Sequence, residues 1–295
     1  MTRPVKDHGR YRYAAITRRP DYSWPDGRRL AVYLGFNIEH FDFGAGLGAA
    51  LGPRSPEPDV LNYSWRDYGN RVGVWRCLEL FERLALPVGA LVNTALYDYC
   101  PEVVAAFVRR GDELIGHGHT NSDHQGTLAE AEERALLEHC RARIAREAGQ
   151  APQGWLSPWI AESPVTPDLL AETGYRYTLN WCHDDQPVRF ATRSGATLWS
   201  IPYPQELNDV PMIVARQMDG RDFADLIVDN FDEMLDQCQA QPLVMGIALH
   251  PYVVGQPYRL RHLRRALEHI VGRRDRVWFT TPGRICGHVD ALGNG

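Results

Sequence analysis

Five short polar clusters carry the residue types that hydrolysis needs: Asn37/Glu39/His40, His117/Asn121, Asp184/Asp185, Asn208/Asp209 and His250. The densest stretch is Glu113–Gln125, ELIGHGHTNSDHQ, which brings His117, His119 and His124 together with Asn121 and Asp123. A carboxylate can take a proton from water, and an imidazole that titrates near neutrality can give one to a departing nitrogen. Carboxylate and imidazole together are also what a divalent metal binds. Any one of these residues alone has an ordinary explanation in a capped turn, an ion pair or a satisfied carbonyl. Their shared position argues otherwise, because each cluster directly follows a short apolar run that reads as a buried strand.

Those runs are Arg29–Phe36, Pro87–Asn93, Asp112–His117, Gly154–Leu156, Tyr175–Leu179, Leu198–Tyr203, Leu243–Leu249 and Val277–Thr280. Helical patterns alternate with them: a helix within Tyr63–Leu84 starting after Gly69, then Pro101–Arg109, Thr127–Glu147, Thr166–Thr173, Phe223–Gln237 and Arg259–Val271. On the long helix, Glu130, Glu132, Glu133 and Arg134 read as outward, and Leu136, Leu137 and Ile144 as inward. Alternation of strand and helix along the chain argues a parallel sheet, and seven or eight repeats favour a closed or nearly closed barrel. In such a barrel all the strands' carboxyl ends share one face, so the five clusters would line one pocket.

Residues 1–27 are rich in Arg, Tyr and Pro without periodicity and read as an N-terminal arm that wraps the domain or a neighbouring subunit. Residues 28–295 show no linker or shift in composition and read as one catalytic domain. Asp42–Pro58, rich in Gly, Ala and Pro, reads as a long functional loop that restricts access to the pocket.

A net charge of -5 gives no electrostatic case for nucleic acid as a partner. No apolar run is long enough to span a membrane, so no membrane partner is expected. The six cysteines are scattered without a CxxC pair, which suits free thiols in a reducing compartment. The N-terminus lacks the apolar core of a signal peptide, and the expected location is cytoplasmic.

Five stretches between Trp24 and Val289 carry a family resemblance: YGNRVGVWR (Tyr68–Arg76), GDELIGHG (Gly111–Gly118), DDQP (Asp184–Pro187), IPYPQELND (Ile201–Asp209) and ALHPYVVGQPYR (Ala248–Arg259). In this order and spacing the chain resembles the polysaccharide deacetylase (NodB-homology) superfamily. Within it, the chain looks most like the allantoinase and cyclic-imide-hydrolase branch. The resemblance implies an α/β fold, a distorted, incomplete (β/α) barrel of about seven parallel strands. It also implies hydrolysis of non-peptide amide bonds and a homo-oligomer, tetramer or dimer.

The usual deacetylases carry two acids after the first strand, one the base and one a metal ligand; the matching positions here are Asn37 and Glu39. An asparagine has no lone pair basic enough to serve at neutral pH. The second motif is two histidines spaced i, i+4; here they are His117 and Asn121, and an amide oxygen is a poor zinc ligand. Two mechanisms follow. In one, Glu39 and His117 hold a divalent metal such as zinc weakly. In the other no cofactor is required, Glu39 or Asp184 activates water, and His117, Asn121 and His250 donate hydrogen bonds to the reacting groups. The catalytic set expected is Glu39, His250 and Asp184, with Asn37, His117, Asn121, Trp159, Asp185, Asn208 and Asp209 binding substrate. Trp155, Trp159 and Trp181 are candidates for the pocket walls, with core packing claiming at least one of them. The expected activity is hydrolysis of a linear or cyclic amide, ureide or imide on a small molecule. The alternatives are a metal-dependent carbohydrate N-deacetylase and a non-catalytic binding protein on a decayed deacetylase fold.

Overall fold

The computed structural model describes residues 6–53 and 57–293. The first five residues of the expected arm, and residues 54–56 of the Asp42–Pro58 loop, lie outside the described residues. The strands are β1 (Leu30–Ile38), β2 (Val88–Val92), β3 (Glu113–Gly116), β4 (Gly154–Trp155), β5 (Tyr177–Thr178), β6 (Val188–Phe190), β7 (Leu198–Ser200), β8 (Leu243–Leu249) and β9 (Val277–Thr280). Their order is β6-β7-β5-β4-β3-β2-β1-β8, with β9 pairing beside the first half of β1. All pairs are parallel except β6–β7. The eight parallel strands are those expected from the apolar runs. β6 is the addition, a short antiparallel strand within a segment that reads as polar.

The sheet curls on itself without a complete closing ladder. Two backbone hydrogen bonds stitch the gap, Val244 N–H to the Asp185 carbonyl and Ala248 N–H to the Leu207 carbonyl, both 2.8 Å. A single bridge pairs Asn208 with Ala248. The result is a curled, mostly parallel, incomplete barrel.

The helices are α1 (Val60–Tyr68), α2 (Val74–Arg83), α3 (Leu96–Tyr99), α4 (Pro101–Arg110), α5 (Glu130–Ala148), α6 (Thr166–Glu172), α7 (Gly220–Gln237), α8 (Pro251–Val254), α9 (Pro257–Val271) and α10 (Pro282–Ala291). Helix α4 shows why they begin and end where they do. Pro101 occupies the first turn, where its missing N–H costs nothing, and Gly111 takes a left-handed φ of 74° just past the last residue. Glu133 departs from the outward face expected of it: it lies in the first turn of α5 but is fully buried.

Strand parity sets the barrel's chemistry. On β1, Leu30, Val32, Leu34, Phe36 and Ile38 face the helices, where Phe36 meets Phe81 edge-on at 5.2 Å. Ala31 and Tyr33 face the interior with Leu91, Ile115, Leu156, Tyr177 and Ala248. Successive side chains alternate across a strand, so the interior face of β1 continues from Tyr33 through Gly35 to Asn37 and then Glu39. The same alternation carries β8 from Val244 and Ala248 to His250, and β3 from Ile115 to His117.

The described part of the arm is fastened along the edge of the barrel. The Arg10 guanidinium grips Asp168 with two bonds of 2.7 and 2.8 Å, and its carbonyl accepts from Ala191 N–H beside β6. Tyr11 stacks on His183 at 4.4 Å, and the buried Trp24 donates to the Leu243 carbonyl at 3.0 Å. No helix among the described residues is long and apolar enough to cross a membrane.

Candidate active site

At the carboxyl end of the barrel Glu39 is the hub, and it is nearly fully buried. Its Oε1 accepts a hydrogen bond from Asn121 Nδ2 at 2.7 Å, and its Oε2 accepts one from the Tyr252 hydroxyl at 2.8 Å. Two imidazoles flank the same Oε1, His117 Nε2 at 3.4 Å and His250 Nε2 at 3.5 Å. Each is oriented from behind. His117 Nδ1 lies 2.7 Å from the Leu156 carbonyl, which can only accept, so Nδ1 carries the proton and Nε2 faces the cleft. His250 Nδ1 lies 2.6 Å from Asp209 Oδ1, and Asp209 Oδ2 accepts the His250 backbone N–H at 2.8 Å.

This geometry fixes the charges. Burial alone would lower the His250 pKa, but the Asp209 and Glu39 carboxylates outweigh it and raise it to about 10. Burial would raise Glu39, but the His250 charge, with the His250 hydrogen bond and the nearby His117 ring adding to it, lowers it to about 2. At neutral pH the cleft therefore holds an imidazolium at His250 and a carboxylate at Glu39.

A cleft of about 200 Å³ opens over these groups, lined also by Leu156, Ser157, Trp159, Tyr203 and Asn208. That is small beside the roughly 300–1,000 Å³ of ordinary ligand sites. Trp159 forms part of its wall, with the indole N–H donating to the Asn121 carbonyl at 2.8 Å. Trp159 and Ile160 have φ of 61° and 56°, left-handed values that cost a non-glycine residue roughly 1–3 kcal/mol each.

The structure brings Asn37, Glu39, His117, Asn121, Trp159, Asn208 and His250 to this one cleft. It does not bring Asp184 or Asp185 there. Asp184 forms a two-pronged pair with Arg19 of the arm, both contacts 2.6 Å. The Asp185 carbonyl joins Val244 at the start of β8, so this segment has run down to the barrel's opposite end. Asp209 sits behind His250 and orients it, rather than meeting the cleft. Asn37 is spent on structure: its amide donates to the Tyr203 hydroxyl at 2.9 Å and to the Leu249 carbonyl at 3.2 Å. Of the other tryptophans, Trp155 is fully buried, and Trp181 packs edge-on against Tyr11 and Phe190. His119 turns away to Thr94 at 3.0 Å, which leaves His117 as the histidine of its stretch in the cleft. Among the described residues, none of the Asp42–Pro58 loop lines the cleft; the loop instead rests on Ser122, through Asp42 N–H at 2.8 Å and Leu47 N–H at 3.0 Å.

Sequence reasoning missed Tyr252, Tyr203 and Asn70. The first two stand at strand ends, in HPY and IPY, and an aromatic there reads as core. Asn70 lies in a π-helical turn, Gly69–Gly73, between α1 and α2, and its side chain donates to the Glu39 carbonyl at 2.8 Å. Such turns recur at functional sites because the extra residue re-aims a side chain. The glycines of YGNRVG let this turn touch α8. A Cβ at Gly69 would lie 2.8 Å from Tyr252 N, and one at Gly73 would fall on the Pro251 carbonyl oxygen. Gly73→Ala is therefore expected to push α8 away, carrying Tyr252 and His250 with it. The cost is about 1–3 kcal/mol of stability, read by urea titration, together with a loss of whatever turnover the site supports.

No protein-family profile matches the chain. Individual relatives do. A putative polysaccharide deacetylase of Schizosaccharomyces pombe is 27% identical over 277 residues, covering 88% of this chain and 85% of the relative. A probable polysaccharide deacetylase from Pseudomonas aeruginosa superposes with a TM-score of 0.81 at 27% identity, over 92% of this chain and 94% of that one. The PuuE allantoinase superposes with a TM-score of 0.83 at 28% identity, over 95% and 98%. Over nearly its whole length the chain is thus similar to polysaccharide deacetylases and to an allantoinase.

Metal is the cofactor that such deacetylases imply, and the donors here do not fit one. Both Glu39 oxygens already accept hydrogen bonds, from Asn121 and Tyr252, and the imidazolium of His250 occupies the same side. His117 Nε2 is left as a lone nitrogen ligand, where a zinc site needs three or four. Among the described residues no group of three or more His, Cys, Asp or Glu is arranged to hold an ion. Asn121→His restores the second histidine of the deacetylase pattern. The variant is expected to retain zinc through dialysis while the parent chain holds well under one ion per molecule. Elemental analysis of both proteins checks this, and equal zinc in the two would contradict it.

Proposed function

We propose that this chain hydrolyses a non-peptide C–N bond of a small, uncharged amide, ureide or imide without a metal. One observation carries the reading: the Asp209–His250–Glu39–His117 array, with a proton donor and a proton acceptor on either side of a single carboxylate. His250, protonated and held by Asp209, gives a proton to the departing nitrogen. His117, whose Nε2 lone pair faces the cleft, takes one from the attacking water. Glu39 then serves as the fixed negative charge between them, since a carboxylate lowered to about 2 is a feeble base at neutral pH. This differs from the expectation that Glu39 or Asp184 would activate water. Burial and filled lone pairs argue against the first, and distance from the cleft against the second. No arginine or lysine lines the cleft among the described residues, so an anionic substrate would find only the His250 charge.

A second reading, a carbohydrate N-deacetylase, is favoured by the deacetylase names of the relatives. A screen of succinimides, hydantoins, ureides and N-acetylglucosamine oligomers separates the two, run with and without added zinc. Turnover of an imide or ureide in the presence of chelator supports the first reading. Turnover of N-acetylated sugars alone, dependent on zinc, overturns it.

A further inference from the structure

Glu133 has no part in the reaction described above, yet it is a fully buried carboxylate whose partners are neutral. Its Oε1 accepts from Gln125 Nε2 at 2.8 Å and from the Thr166 hydroxyl, and its Oε2 accepts from the Ser163 hydroxyl at 2.6 Å. A buried polar side chain is tolerated only where hydrogen bonds satisfy it. These donors come from two different loops. Gln125 closes the loop after β3 that carries His117 and Asn121. Ser163 and Thr166 close the one after β4 that carries Ser157, Trp159 and Ile160. The same two loops meet again at the cleft, where the Trp159 indole donates to the Asn121 carbonyl at 2.8 Å. Between those two ties lies the left-handed pair Trp159–Ile160, a conformation that persists only where its surroundings impose it. Gln125 adds a cross-link, accepting from Trp155 Nε1 at 3.3 Å while the same indole reaches Ser157 Oγ at 3.0 Å.

We infer that Glu133 is a positioning residue for the substrate-binding wall: it clamps the β3 and β4 loops together so that Trp159 is held against Asn121 over the cleft. The inference rests on the proposed small-molecule reading only for what the wall binds, not for the clamp itself. His250, Asp209 and Glu39 stand on other elements, and His117 is anchored at the end of β3 by its backbone N–H to the Val92 carbonyl at 3.1 Å and its ring to the Leu156 carbonyl at 2.7 Å, so loosening the clamp should weaken binding and leave the chemical step largely intact.

Glu133→Gln keeps the shape of the side chain, and the Ser163 and Thr166 hydroxyls can rotate to meet the amide. In the folded variant, backbone amides of residues 157–166 are expected to exchange with deuterium about tenfold faster or more, with the sheet unchanged. With whichever imide, hydantoin or ureide of the screen the parent enzyme hydrolyses, KM should rise about tenfold or more while kcat stays within about threefold. Unchanged exchange in 157–166, or a fall in kcat at constant KM, overturns the inference. Should Glu133→Gln not fold, Ser163→Ala and Thr166→Val each remove one donor and carry the same expectations, with the same contrary results. If the parent enzyme hydrolyses none of the imides, hydantoins and ureides of the screen, the proposed reaction fails, and the exchange of 157–166 alone decides whether Glu133 is the clamp.

Discussion

Replacing His250 with alanine is expected to lower kcat by roughly two to four orders of magnitude, the usual contribution of a positioned acid. An amide nitrogen cannot leave as an anion, and His250 is the group in the cleft that holds a proton ready at neutral pH. Its pKa of about 10 lies well above the ordinary 6.5, raised by the carboxylates of Asp209 and Glu39. The sign of the pH dependence follows. The acid is competent below that value and lost above it, so kcat of the parent enzyme should hold through neutrality and fall as pH rises toward 10. That alkaline limb should be absent in His250→Ala. Stability moves with it: the raised pKa contributes stability that is complete below pH 6.5 and disappears as pH approaches 10. The alanine variant also strands Asp209, whose remaining donor there is the backbone N–H at position 250, at a cost of about 3–5 kcal/mol. Turnover must therefore be counted per folded molecule, from circular dichroism on the same samples. A variant that keeps its specific activity, or keeps the alkaline limb, would remove His250 from the chemistry.

Much of this site was legible because strand parity is a strict rule. Once Leu30, Val32, Leu34 and Phe36 are taken as facing the helices, Asn37 and Glu39 must fall on the inward side, and the same counting delivers His250 and His117. Parity fails where strands stop. Asp184 follows β5 by several residues, and nothing local says that this connection descends to the far end of the barrel to pair with Arg19. Asp209 was read as touching substrate, yet its place behind His250 depends on a parallel bridge between Asn208 and Ala248, two segments far apart in sequence. β6 escaped notice because of its three residues only Phe190 is fully buried, too little to stand out from a polar run. Glu133 was misjudged for a related reason. Its neighbours Glu130 and Glu132 are exposed, and the donors that make its burial tolerable lie on loops with no pattern to read. The metal question was half legible: Asn121 in place of histidine signals a missing ligand, but that its N–H would occupy the carboxylate needed three dimensions.

Glu39→Gln should be about as damaging to kcat as loss of His250, roughly two to four orders of magnitude, by a different route and with a different pH signature. Glutamine preserves the shape and volume of the side chain but removes the charge that both imidazoles face at 3.4 and 3.5 Å. His117 then has no counter-charge for the proton it takes from water, so the step that forms the nucleophile becomes costly. His250 keeps Asp209 but loses the second of the two carboxylates that raise its pKa. The alkaline limb should consequently remain in Glu39→Gln and shift to lower pH, whereas in His250→Ala it vanishes. The amide also places N–H groups against Asn121 or Tyr252, both of which donate to Glu39 in the parent chain. Some stability is therefore lost, and the acid side reports it. Glu39 is lowered from 4.5 to about 2, so its contribution is complete above pH 4.5 and lost as pH falls toward 2, and that acid dependence should flatten in the variant. A surface arginine cannot account for such effects: Arg71 is 70% exposed and lies 4.0 Å from Asp67, not beside Glu39. Full activity in Glu39→Gln with an unmoved alkaline limb would show that the central carboxylate only shapes the cleft, and the two-histidine mechanism would fall with it.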